Sequence, residues 1–68
     1  MKISARNRLK GKITEVIKGA TTAHVKIDIA GTIVTAAITN EAVAELKLKK
    51  GQSAYAIIKA SDVMIGVD

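Results

Sequence analysis

The chain has no cysteine, no proline, no phenylalanine and no tryptophan, and only one tyrosine (Tyr55) and one histidine (His24). Without cysteine there is no disulfide, no thiolate metal site and no thiol nucleophile. A single histidine argues against a metal cluster, and no direct protein ligands to a metal cation are assigned. The six carboxylates are Glu15, Asp28, Glu41, Glu45, Asp62 and Asp68. Glu41 and Glu45 stand four apart on the exposed side of a helical segment, and no two of the others share a local motif. With no histidine pair and no glycine-rich phosphate loop, nothing assembles a catalytic group, so no catalytic residue is assigned and the chain does not read as an enzyme. No stretch approaches the roughly 20 apolar residues of a membrane span. Met1-Lys2 is not followed by the apolar run of a signal peptide, and a cytoplasmic location is expected. The missing proline removes a common device for blunting edge strands, which leaves such edges open to pairing with another chain.

What the chain does have is aliphatic surface. Hydrophobic residues make up 49% of its 68 positions, almost none of them aromatic. One domain spanning residues 1–68 is expected, and a chain of this size buries only a small core and is marginal alone. The outlet for so much apolar surface is a subunit interface. The net charge of +5 is also unevenly placed. Residues 1–18 carry Lys2, Arg6, Arg8, Lys10, Lys12 and Lys18 against Glu15 alone, whereas the rest of the chain holds equal numbers of basic and acidic groups. An anionic partner suits this asymmetry.

Period-two alternation dominates the chain. From Arg8 to Lys18, Leu9, Gly11, Ile13 and Ile17 fall on one face and the cations on the other; Glu15-Val16 breaks the alternation, as a bulge would, and Gly11 marks a bend. A second strand places Ala23, Val25, Ile27 and Ile29 inward, with His24, Lys26 and Asp28 outward, where His24 is simply solvated. Ala30-Gly31 turns the chain into a third strand, Thr32 to Ile38. Thr39 then caps a short helix, with Glu41 in its first turn, Val43 and Leu46 on one face, Lys47, Lys49 and Lys50 at its end, and Gly51 as its stop. Two further strands are expected, Ser53–Lys59 and Val63–Val67, joined by Lys59-Ala60-Ser61-Asp62. These last two are apolar on both faces, which implies a second buried surface. The order predicts an all-β fold, a five-stranded OB-like barrel with one short helix between strands 3 and 4.

Two segments are rich in hydrogen-bond donors. Ser4-Ala5-Arg6-Asn7 packs a hydroxyl, a guanidinium and a carboxamide into four residues without a carboxylate. Lys59-Ala60-Ser61 offers an ammonium, a hydroxyl and turn N–H groups of the kind that nest an anion. Taken by themselves, the first reads more readily as a solvated tail than as a site, and the second more readily as a plain turn. A third segment, Gly19-Ala20-Thr21-Thr22, is a turn. The basic face formed by Arg6, Arg8, Lys10, Lys12 and Lys18 would also suit nucleic acid. Single-strand binders, however, stack bases on aromatic platforms worth about 1–3 kcal/mol each. Only Tyr55 is present, on a strand whose two faces both read as buried, so no nucleic-acid partner is assigned.

Ser4-Ala5-Arg6-Asn7 followed by Leu9-x-Gly11-x-Ile13 resembles the opening of the molbindin (Mop) family, small molybdate-binding proteins built on one TOBE-type, OB-like module. The resemblance continues through Gly19-Ala20, through Ile38-Thr39-x-Glu41-Ala42-Val43-x-Glu45-Leu46, and through Ala56-Ile57-Ile58-Lys59-Ala60-Ser61-Asp62-Val63-Met64-Ile65. It implies a binder of molybdate or tungstate, with no cofactor and no catalysis, assembled as a homohexamer, a trimer of dimers. In such proteins the first two donor segments close on one oxyanion from different subunits. Ser4, Arg6, Lys59 and Ser61 are carried over as direct contacts, with Ala5, Asn7 and Ala60 as backbone or lining contributors. A second class of site near the oligomer axis would involve Gly19, Ala20, Thr21 and Thr22. The ligand chemistry agrees: molybdate is a tetrahedral dianion without a proton to donate near neutral pH, and a donor-only site disfavours protonated phosphate. A TOBE-type anion-sensing regulatory module and a small nucleic-acid-binding OB protein are the alternatives. The free-standing binder is preferred over the regulator because no DNA-binding or ATPase domain accompanies the module.

Overall fold

A computed structural model describes residues 1–68. Four strands, β1 (Asn7–Lys18), β2 (Thr22–Ile29), β3 (Thr32–Thr39) and β4 (Ser53–Ile58), form one antiparallel sheet in the order β3-β2-β1-β4. A short helix, α1 (Asn40–Leu46), lies between β3 and β4, as the sequence predicts. The first half of β1 pairs with β4, from Asn7 opposite Ile58 to Lys12 opposite Ser53. Its second half pairs with β2, from Lys12 opposite Asp28 to Lys18 opposite Ala23.

Where β1 changes partner, its backbone lies very close to β2. A Cβ on Gly11 would collide with the carbonyl oxygen of Asp28 and sit 2.8 and 2.9 Å from side-chain carbons of Ile29 and Ile27. Glycine is there because β2 occupies the space a side chain needs. The bulge expected at Glu15-Val16 comes one residue earlier: the register shifts between Ile13 and Glu15, and the Thr14 hydroxyl donates to the Lys26 carbonyl at 3.3 Å. One extra residue reverses the phase of the alternation. Val16 therefore packs against the core, and Ile17, expected to face inward, is exposed.

The β2–β3 hairpin follows the sequence closely. Ala23, Val25 and Ile27 are buried. Ala30 and Gly31 both take positive φ, 51° and 92°, as a two-residue hairpin turn demands. The Asp28 carboxylate accepts the Gly31 N–H at 2.8 Å. Thr39 caps α1 as read, its hydroxyl accepting the Ala42 N–H at 3.0 Å. The helix stops earlier than expected, however. Lys47, not Gly51, adopts the left-handed conformation (φ 52°, ψ 47°) and donates its N–H to the Ala44 carbonyl at 3.2 Å. Gly51 serves the next turn, at φ 90°, and donates to the Ile13 carbonyl at 2.8 Å. Only Val43 of the helix is buried; Leu46, expected beside it, is 62% exposed.

The largest departure is at the end of the chain. The fifth strand expected over Val63–Val67 does not form. A single 3-10 turn, Ala60–Asp62, follows β4, and residues 63–68 pair with no strand. The sheet is therefore not closed within one chain, and β3 and β4 remain as its two edges. Tyr55 and Ile57 are exposed rather than buried, and over the Tyr55 ring lies the Lys10 ammonium, 6.0 Å from its centroid. The core consists of Ile13, Ala23, Val25, Ile27, Val43 and Ala56.

Gly11→Ala should force β1 and β2 apart, at a cost of about 2–3 kcal/mol or more. Thr39→Ala removes one capping bond and should cost about 1 kcal/mol. Urea denaturation at one fixed protein concentration measures both. Equal losses would show that the Gly11 contact relaxes freely.

Candidate functional site

The two donor segments are 55 residues apart, counted from Ser4 to Lys59, yet they lie side by side in one chain. The antiparallel pairing of Asn7 with Ile58 leaves Ser4–Arg6 running off one end of β1 exactly where Lys59–Ser61 runs off β4. Together Ile3, Ser4, Ala5, Arg6, Lys59, Ala60 and Ser61 line an open pocket of about 480 Å³. The two segments were expected to meet across a subunit boundary; within a single chain they also lie side by side. Six of the seven residues assigned to this site line the pocket.

Asn7 does not line it. Its side-chain amide donates to the Ile58 carbonyl at 3.1 Å, which fastens the ends of β1 and β4 together at the pocket's edge. That bond holds the site's two walls in register. Ile3 joins the lining without having been singled out, since a lone apolar residue beside a cationic segment carries no signal of its own.

The electrostatics of the pocket are one-sided. No carboxylate lines it. The one ion pair of the chain is Lys26 with Glu15, at 3.8 Å and far along the sheet, so neither Arg6 nor Lys59 has a carboxylate partner. Nor do the hydroxyls of Ser4 and Ser61 make hydrogen bonds within the chain. Below Lys59, the 3-10 turn is closed by the Asp62 N–H donating to the Lys59 carbonyl at 2.9 Å. Two cations and two hydroxyls thus face one space with no protein acceptor to satisfy them. Such an arrangement attracts a compact anion with several acceptor oxygens.

The turn at Gly19, Ala20, Thr21 and Thr22 is exposed, and none of its residues lines this pocket. Its carbonyls are largely engaged. Thr22 accepts from the Gly19 N–H at 2.7 Å, Thr21 from the Asn40 N–H at 2.9 Å, and Gly19 from the Asn40 side-chain amide at 3.0 Å. The threonine hydroxyls have no partner in the chain, and the buried Asn40 Oδ1 has none either. Asn40 organises this turn from beside the paired ends of β2 and β3, a role invisible in a sequence where it reads only as the first residue of a helix.

Comparison with known proteins identifies the family. The TOBE domain family model matches residues 3–65. A probable molybdenum-pterin-binding protein of Haemophilus influenzae is 51% identical, over the full length of both chains. Among solved structures, MopII from Clostridium pasteurianum superposes with a TM-score of 0.91 at 45% identity, covering 97% of this chain and 100% of its own. A molybdate-binding protein from Sporomusa ovata superposes with a TM-score of 0.94 at 39% identity, covering 98% and 100%. Sequence, fold and full-length correspondence place the chain in the TOBE domain family and, within it, among the molbindin (Mop) proteins.

Proposed function

We propose that the chain binds molybdate or tungstate without catalysis, as a cytoplasmic store or buffer of the anion, in the pocket between Ser4–Arg6 and Lys59–Ser61. The observation that carries this reading is the pocket itself, with two unpaired cations and two unpaired hydroxyls brought together and no carboxylate among them. A fully deprotonated tetrahedral dianion can accept from all of these groups at once. Protonated phosphate brings a donor that finds no carboxylate to accept it. The relatives named for molybdate or molybdenum binding support the choice of ligand.

The pocket is open, and Ser4, Arg6, Lys59 and Ser61 are all exposed in the single chain. Tight retention of a hydrated dianion needs a drier site, because the attraction between charges is weak in water. The reading therefore includes a homo-oligomer, with a hexamer as its form, in which a neighbouring copy covers the pocket. The turn Gly19–Thr22, with its free hydroxyls, is proposed as a second, weaker anion site where copies meet around an axis.

Three outcomes follow for binding. Calorimetry should show saturable uptake of molybdate and tungstate and much weaker uptake of sulfate and phosphate; comparable binding of all four would reduce the pocket to general electrostatic attraction. Lys59→Ala should weaken molybdate binding by about 2 kcal/mol, the low end of the range for a truncated charge pair because Lys59 is exposed in the chain. Ser61→Ala should cost about 1 kcal/mol, while Lys49→Ala, beyond the helix, should change little. Equal effects from Lys59→Ala and Lys49→Ala would mean that net charge, not placement, carries binding.

Linkage gives the third outcome. An anion held where copies meet favours the assembled state, by about 2.7 kcal/mol per site at a hundredfold excess over Kd. Sedimentation velocity on dilution should show molybdate, but not equimolar sulfate, opposing dissociation. A monomer that still binds molybdate tightly would locate the complete site within one chain.

A further inference from the structure

One large apolar side chain stands in the oxyanion pocket among the cations and hydroxyls. Three of the seven lining residues are apolar, and Ala5 and Ala60 offer only a methyl group each. Ile3 is the third. It belongs to no strand or helix, takes no part in the core and is 44% exposed. Its place at the pocket is therefore not a by-product of core packing.

Backbone shape brings it there. In an extended strand side chains alternate, so Ile3 and Ala5 would point to one side and Ser4 and Arg6 to the other. The chain instead bends at Ser4 and again at Arg6 before β1 begins, and all four residues line one space. On the other wall, entry into the 3-10 turn does the same for Lys59, Ala60 and Ser61.

An apolar wall acts on an anion through water. Arg6, Lys59 and the two serine hydroxyls can replace the hydration that an ion loses on their side. Ile3 can donate nothing, so the water it displaces is lost without compensation. It also keeps water away from its neighbours in the pocket, and attraction between charges strengthens as water is excluded. The uncompensated cost grows as an ion becomes smaller, because a compact dianion holds its hydration more tightly. Sulfate is built on a smaller central atom than molybdate or tungstate, and the latter two nearly match in size. The cost therefore falls hardest on sulfate. Charge and hydrogen bonding do not make this distinction, since sulfate and molybdate are both dianions with four acceptor oxygens and no proton.

We propose that Ile3 is a specificity-determining residue of this pocket, an apolar wall that penalises the more strongly hydrated oxyanion and leaves molybdate and tungstate favoured. This role rests on the reading of the pocket as a molybdate or tungstate site. It adds the means by which that site tells its ligand from sulfate, which donors without carboxylates do not supply.

Calorimetric titration of the full chain with molybdate, followed by displacement of the bound molybdate with sulfate, gives the ratio of the two dissociation constants. Ile3→Ser should lower the sulfate-to-molybdate ratio by about fivefold or more, because its hydroxyl returns a hydrogen bond to the ion where the wall gave none. The tungstate-to-molybdate ratio should not move. Ile3→Leu keeps the wall apolar and should keep both ratios. A variant that merely loosens the N-terminal segment, or folds less completely, weakens both anions by the same factor and leaves their ratio alone. Equal weakening of sulfate and molybdate in Ile3→Ser would therefore overturn the proposal, as would a loss of discrimination in Ile3→Leu that matches Ile3→Ser. Failure of the underlying reading looks different: the unaltered chain would show no preference for molybdate over sulfate, which would overturn the pocket's assignment and the role of Ile3 together.

Discussion

Strand β1 is shared: its first half pairs with β4 and its second half with β2. The site depends on this division. The β4 pairing runs to Asn7 and Ile58, and the Asn7 side chain adds a bond to the Ile58 carbonyl just where the strands end. Beyond that point both chain segments carry cations, and the pairing holds them next to each other despite their repulsion. Gly11 makes the division possible, since β1 can leave β4 for β2 only where its backbone approaches β2 without a side chain between them. The sheet therefore brings the Arg6 and Lys59 segments, 53 positions apart in sequence, to one pocket.

The parts of the fold set by neighbours in sequence were legible in the sequence. The β2–β3 hairpin follows from alternation and from Ala30-Gly31, and the start of α1 follows from the Thr39 side chain, because each of these decisions is made within a few residues. Less legible were features in which distant backbone decides. The bulge phase at Thr14 depends on Lys26, and Ile17 turns outward for that reason. Gly51 reads as a helix stop but serves the Ile13 carbonyl, leaving Lys47 to end the helix in a conformation unusual for a residue with a side chain. Val63–Val67 has the pattern of a strand, but a pattern states only that a segment can pair, not that its own chain supplies the partner.

The site shows the same split. Its chemistry was legible, because donor groups without carboxylates are a property of composition. Its geometry was not, because the nearness of Ser4–Arg6 to Lys59–Ser61 is a consequence of long-range register. Asn7 illustrates the difference: as a residue type it reads as one more donor, and only the register shows its amide fastening the end of β1 to β4. The apolar residues of the chain divide similarly. A small core accounts for some of them, and the rest lie on the outer face of β4, in the open groove and along residues 63–67. Much of the apolar surface is thus left uncovered by the chain itself.

The central claim is that Arg6 and Lys59, held together by the β1–β4 pairing, coordinate one oxyanion. Crystals grown with molybdate, measured at the molybdenum absorption edge, locate the metal independently of any assumption about the site. The account predicts an anomalous peak in the pocket, with its oxygens within hydrogen-bond reach, about 2.7–3.2 Å, of the Ser4, Arg6, Lys59 or Ser61 donors. A molybdenum peak confined to another surface, with this pocket holding only solvent, would contradict it.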